Sequence, residues 1–190
     1  RVKASCHAIS AQLRAGDIIS IVAWSGDQTV VVDSHQVTGP NDGALTTACN
    51  SLKAGGVTNF TTGVEKTYEL AKKNSAGSRS NRVVLFSDGG AKVSEADVDL
   101  IAANAADADA EGLYLIGVGV GDPWNYNDSL MDALTEAGKG AYIFLDSTDE
   151  ATLMWGARFI SNVQIAARAV QVALTLPPTF QIKSFYGEEF

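Results

Sequence analysis

Four short, almost uninterrupted apolar runs most constrain what this chain can fold into: 18–24 (IISIVAW), 82–87 (RVVLFS), 113–120 (LYLIGVGV) and 141–145 (AYIFL). Runs of this length, apolar at consecutive positions, suit strands covered on both faces. Amphipathic or alanine-rich stretches separate them, and the pattern predicts helices over 2–14, 44–52, 62–73, 95–111, 128–137 and 149–160. In the first of these, Val2, Cys6, Ile9 and Leu13 share one face. Ser94 is placed to cap the helix at 95, with Asp97 in the capping-box position. Strands alternating with helices imply crossover connections and a mainly parallel sheet, with 82–87 inside it. The exception is 29–33, which follows 18–24 after the turn Ser25-Gly26-Asp27. So short a link makes a hairpin and hence one antiparallel edge strand. The fold class is therefore α/β, with a doubly wound sheet.

From residue 163 the pattern changes. Val170, Val172, Leu174 and Leu176 alternate with Gln171, Ala173 and Thr175, Pro177-Pro178 turns the chain, and 180–186 reads as a return strand. Residues 1–162 are expected to form the α/β domain and 163–190 a C-terminal β extension, the start of a β-rich module.

A net charge of −8 disfavours nucleic acid as a partner, since polyanions bind basic surfaces. No stretch approaches the roughly 20 apolar residues of a membrane span, and residues 1–6 lack a signal-peptide layout. Cys6 and Cys49 form no CxxC pair and read as buried thiols rather than a disulfide or a metal site. His7 and His35 read as ordinary surface or helix residues. No Ser–His–Asp or Cys–His arrangement stands out, which argues against hydrolytic catalysis.

In sheets of this kind, sites lie in loops beyond the carboxyl ends of the strands. Asp88 directly follows the run 82–87, with Gly89-Gly90 letting the backbone turn beneath it. Gly55-Gly56-Val57-Thr58-Asn59 precedes a helix; Thr58 or Asn59 can simply be its N-cap. Together the two loops bring a hydroxyl and a carboxylate to one edge, and such hard oxygen donors suit Mg²⁺. Ser25, Asp27, Asn59, Phe60, Trp124 and Tyr126 are candidates for a partner-binding rim around them, although each aromatic residue suits the core equally well.

The order Gly16-Asp17-Ile18…Trp24-Ser25-Gly26, Gly55-Gly56-Val57-Thr58-Asn59, Val84-Leu85-Phe86-Ser87-Asp88-Gly89 and Gly117-Val118-Gly119-Val120-Gly121 resembles a von Willebrand factor type A (vWA) domain over about residues 1–160. The loop Asn125-Tyr126-Asn127-Asp128-Ser129-Leu130-Met131 resembles the bacterial subgroup described as calcium-activated chloride-channel-like. The resemblance implies a Rossmann-like fold and a metal-ion-dependent adhesion site (MIDAS). That site combines an Asp-x-Ser-x-Ser loop after the first strand with a Thr and an Asp, here Thr58 and Asp88. A divalent cation, Mg²⁺ above all, would bind there, and an acidic side chain of a protein partner would complete its shell. The sequence departs from the pattern in lacking both the Asp-x-Ser-x-Ser loop and the first, central strand.

These readings favour a non-enzymatic adhesion-type module that binds protein at a metal site incomplete in this chain. The first alternative is a metal-independent interaction module with a degenerate site. The second, a Mg²⁺-dependent phosphoryl-transfer enzyme, lacks a phosphate-cradling loop and a second Asp near Asp88, and Gly117-x-Gly119-x-Gly121 is not a dinucleotide fingerprint. The resemblance leans towards export or membrane anchoring in a bacterium. An unfilled place is expected beside 18–24 and 82–87, because buried backbone groups need partners. An upstream segment is the first candidate to fill it and 169–176 the second. Gln171 and Thr175 favour instead a half-exposed antiparallel tail paired with 180–186.

Overall fold

A computed structural model describes residues 1–56, 59–75, 79–106, 112–122, 124, 126–164, 171 and 173–184. Helix α1 (Val2–Gln12) leads into strand β1 (Ile18–Trp24), which pairs antiparallel with β2 (Gln28–Gln36). Helices α2 (Gly43–Ser51) and α3 (Phe60–Asn74) follow. Then β3 (Arg82–Ser87), α4 (Glu95–Ala105), β4 (Tyr114–Val120), α5 (Asp128–Ala137) and β5 (Tyr142–Leu145) alternate. The chain continues into α6 (Thr148–Trp155) and α7 (Phe159–Val163). β3, β4 and β5 pair in parallel and in that order, with Val84 opposite Ile116 and Val118 opposite Ile143.

The apolar runs work as two-sided strands because both faces of the parallel sheet are covered. On one face, Val83, Leu85, Leu113 and Leu115 pack against Phe60, Val64 and Tyr68 of α3, Ile101 of α4, and Met131 and Leu134 of α5. On the other, Ile116, Val118, Ile143 and Leu145 pack against Ala151 and Trp155 of α6, with Ala4, Ala8 and Ile9 of α1 alongside. A third cluster, Leu13, Val37 and Leu45, lies beneath the hairpin with Ile9, Ile19 and Ile21 packed on it. Local chemistry sets the helix starts. The Ser94–Asp97 capping box opens α4, Ser147 caps α6, and Asp42 caps α2 by accepting from the amides of Ala44 and Leu45.

Four expectations are revised. First, the sheet is split. Among the described residues β1–β2 and β3–β4–β5 are separate sheets, so β3 stands at an edge instead of inside, because no described strand lies between it and β1. Second, Cys6 and Cys49 form a disulfide, which joins α1 to α2. The helical spacing that places Cys6 on the inner face also brings it against Cys49, 43 residues on. Third, the helix expected over 149–160 breaks into α6 and α7 at Gly156, whose backbone (φ −99°, ψ −94°) leaves the helical region. Fourth, no described residue between 164 and 184 is in a strand. Gln171, Ala173, Leu174 and Thr175 are exposed, so these residues do not fill the gap beside β1 and β3.

Candidate functional site

The carboxyl ends of the strands carry two groups of residues, one from the hairpin and α3, the other from the parallel sheet. In the first group, the 25–27 turn is closed by a hydrogen bond from the Ser25 amide to the Asp27 carbonyl (3.0 Å). The Asn59 amide donates to the Ser25 carbonyl (2.7 Å), fastening the start of α3 to the end of β1. Asn59 is the N-cap of α3, its side-chain oxygen accepting from the Thr62 amide. Thr58 lies outside the described residues. Ser25 is half-buried and Asp27 exposed. Phe60, a candidate for either the rim or the core, is 3% exposed and meets the Trp24 ring edge-on at 5.6 Å, which puts it in the core. Its position at the first turn of α3 turns it inward against β1.

The second group centres on Asp88. Its carboxylate is exposed directly beyond β3, and Oδ1 accepts from the Gly90 amide (3.0 Å). Beneath it the buried Ser87 hydroxyl accepts from the Gly89 amide (3.1 Å). Gly89 has φ +77°, and a Cβ there would stand 2.6 Å from the Asn127 amide nitrogen, so only glycine lets this turn close on the following loop. Tyr126 reaches over the same turn. Its ring stacks parallel on Tyr142 (6.4 Å) and tilts against Phe144 (5.0 Å), in space that a side chain at Gly119 would fill. Burial pushes the Tyr126 phenol up, and the carboxylates of Asp128 and Asp88 push the same way. Burial, with donation of the Tyr142 hydroxyl to Asp128 Oδ1, also raises Tyr142. Both phenols stay protonated at neutral pH. Trp124 is 93% exposed, the most exposed large apolar side chain on this edge.

Three participants escaped the sequence reading. Arg1 reaches the edge and donates from Nη1 to the Gly121 carbonyl, while Asp128 and Tyr142 hold the Tyr126 stack. Gly119 carried a signal for the stack, since glycine inside a strand often marks close approach by another group. Nothing comparable points to Arg1.

The donor set is partly suited to a hard cation. Asp88 offers a solvent-facing carboxylate followed directly by Gly89 and Gly90, and Ser25 and Asn59 carry neutral oxygen atoms in the other group of residues on this edge. Among the described residues, however, no three His, Cys, Asp or Glu side chains come together as a metal-holding group. Asp88 is thus a single candidate donor, and the described side chains do not gather a complete shell around it.

Residues 2–154 match the von Willebrand factor type A domain, and the chain belongs to that family. It is 27% identical over 179 residues to the uncharacterized protein YfbK of Escherichia coli K12, a match that covers 94% of this chain and 31% of that protein. The chain therefore spans about a third of that relative's length. Among solved structures it is similar to a von Willebrand factor type A protein from Catenulispora acidiphila (TM-score 0.67, 15% identity, 80% of this chain and 35% of that one). It is also similar to proximal thread matrix protein 1 of the mussel byssus, in a structure whose MIDAS motif is occupied by zinc (TM-score 0.56, 13% identity, 78% and 37%). At these identities the structural likenesses speak to the fold, a mixed α/β architecture of Rossmann-like type.

Proposed function

We propose that this chain is a protein-binding module whose partner docks on the carboxyl edge of the sheet through a divalent cation, with Asp88 and Thr58 as ligands and an acidic side chain of the partner closing the shell. The observation that carries the reading is Asp88. It is an exposed carboxylate fixed by its own turn at the strand edge, in a fold whose mussel-byssus relative holds zinc in a MIDAS motif. Mg²⁺ suits such oxygen donors because it keeps several waters and needs few protein ligands. The described donors are too few for tight binding, so the chain of residues 1–190 should take up Mg²⁺ weakly. Trp124, Tyr126, Ser25, Asp27 and Asn59 would form the rim that touches the partner.

Calorimetric titration with Mg²⁺ tests the reading on this chain, on a longer chain carrying the residues encoded before Arg1, and on the Asp88→Ala form of each. Binding should strengthen in the longer chain and vanish with Asp88→Ala. Tight binding by residues 1–190, or binding indifferent to Asp88→Ala, would place the site elsewhere. A second reading, metal-independent docking, is favoured by the near-complete exposure of Trp124. It predicts that partner capture survives EDTA and fails with Trp124→Ala.

The Cys6–Cys49 disulfide supports a place in an oxidising compartment outside the cytoplasm, where such bonds persist. The exposure of Leu174, Phe180 and Ile182 supports assigning 163–190 to a separate unit, since these side chains add nothing to the core of 1–162.

A further inference from the structure

We infer that Asp97 is a positioning residue that latches together the two halves of the carboxyl edge: the start of α3, with Asn59, and the loop that carries Asp88. The halves belong to different sheets, and among the described residues no strand pairing joins them. Their spacing is set instead by hydrogen bonds between the starts of two helices.

One oxygen atom gathers these bonds. Asp97 Oδ2 accepts from the Ser94 amide (2.9 Å), from the Ser94 hydroxyl (2.8 Å) and from the Thr61 hydroxyl (3.2 Å). The first two belong to the capping box of α4. The third crosses to the first turn of α3, 36 residues earlier in the chain. Thr61 closely follows Asn59, whose amide is bonded to the Ser25 carbonyl (2.7 Å). A continuous polar path therefore runs from the end of β1, through Asn59 and Thr61, to Asp97 and Ser94. Only residues 88–93 separate Ser94 from the end of β3, so a fixed Ser94 restrains the loop that begins with Asp88.

A helix cap alone does not account for this carboxylate. The third residue of a capping box needs only to accept from the cap amide, and it can do so at the surface. Asp97 is instead 2% exposed. An acidic side chain is rarely buried so far, because its charge gives up water and must find donors inside the protein. Thr61 supplies a donor from outside α4, and the positive end of the α4 dipole favours the charge at the same place. Hydrogen bonds to an ionised acceptor are roughly twice as strong as neutral ones, so the Thr61 bond holds more than a pair of hydroxyls would. Phe60 of α3 and Val98 of α4 pack into one cluster, which sets the two helix starts side by side around it.

The latch gives the edge a defined spacing. Gly89 closes on the Asn127 amide from the sheet side, and Asp97 holds the same loop from the α3 side. Asn59 and Asp88 are thus ordered relative to each other before any ligand arrives, which lowers the cost of docking.

The latch is independent of metal; its bearing on Mg²⁺ affinity rests on the metal reading. Amide hydrogen exchange followed by NMR in EDTA tests the latch. Thr61→Val removes the crossing donor, keeps the side-chain size and leaves the capping box whole. It should quicken exchange at Asn59, Gly89 and Gly90 together by about threefold to tenfold and leave Val118 in β4 unchanged. Thr61→Ser, which keeps the hydroxyl, should show native rates at all three. Thr62→Val, on the same turn at a hydroxyl with no partner among the described residues, should move none of them. In the Asp97→Ala background, adding Thr61→Val should change nothing further. Three results would overturn the inference: native rates at Gly89 and Gly90 in Thr61→Val, equal quickening at Val118, which makes the bond one of overall stability, or no recovery in Thr61→Ser. Calorimetry with Mg²⁺ tests the consequence for binding, which Thr61→Val should weaken about threefold or more and Thr62→Val should not. Quickened exchange at the three amides, with no Mg²⁺ bound by the native protein, supports the latch and overturns the metal reading alone.

Discussion

Cutting the Cys6–Cys49 bond is the perturbation whose size can be worked out most directly. The bond closes a loop over a sequence separation of 43 and ties α1 to α2, so it restricts the unfolded chain far more than the folded one. For a loop of this length the lost chain entropy amounts to about 4 kcal/mol. A chain of this size loses about 2–4 °C of melting temperature per kcal/mol, so reduction should lower Tm by about 8–16 °C. Cys49 is fully buried and Cys6 half-buried, so replacing both by alanine adds a small packing loss to the same entropy term. Thermal unfolding followed by circular dichroism would compare the native protein, the protein reduced in dithiothreitol, and Cys6→Ala/Cys49→Ala. The reduced protein and the double variant should melt within a few degrees of each other and well below the native protein. If the native protein titrates two free thiols, or if full reduction leaves Tm within about 2 °C, the linkage and its energetic role are both wrong.

Other consequences can be checked separately. Asp42 accepts from the Thr38 hydroxyl and amide, from His35 Nε2 and from the Leu45 amide, and these bonds hold its carboxyl below the usual range. Its contribution to stability is therefore present above the unfolded pKa of about 4 and lost as pH falls below it. Urea unfolding from pH 6 to pH 2 should show a shallower acid loss in Asp42→Asn than in the native protein, and equal slopes would refute the assignment. Gly63 on α3 faces Trp24, and a Cβ there would lie 2.7 Å from the Trp24 Cβ. Gly63→Ala should cost about 1–3 kcal/mol through overpacking, visible as a lower urea midpoint. Limited proteolysis should remove 164–190 and leave residues 1–163 folded; loss of the whole domain at the same rate would argue against a separate tail unit.

Much of the fold was legible because the apolar runs carry it. The strands at 18–24 and 82–87 fall where the runs do, and the capping box at Ser94–Asp97 fixes α4 at the expected residue. The disulfide was not legible, because spacing alone cannot tell two inward-facing thiols on different helices from a bonded pair. Nor was the break at Gly156, where one glycine outweighs a continuing helical pattern. At the site, Asp88 stands where a carboxylate after a buried strand should, on the exposed edge. Phe60 stayed open between rim and core because the start of a helix offers both an outward and an inward position. Only the packing of α3 against Trp24 decides between them.

The split sheet also bears on how the chain acquires its structure. Among the described residues no backbone ladder joins the hairpin to the parallel strands, and the two halves meet through side chains of α1, α3 and α7. The hairpin pairs residues close in sequence, and the disulfide closes its helices around it, whereas β3, β4 and β5 meet only through crossovers by α4 and α5. Local contacts form sooner than distant ones. Residues 1–51 can thus become ordered as one cooperative unit, and residues 82–163 as another. α3 packs on Trp24 of β1 and on Val83 and Leu85 of β3, and so brings the edge that carries Asp88 together with the edge that carries Ser25.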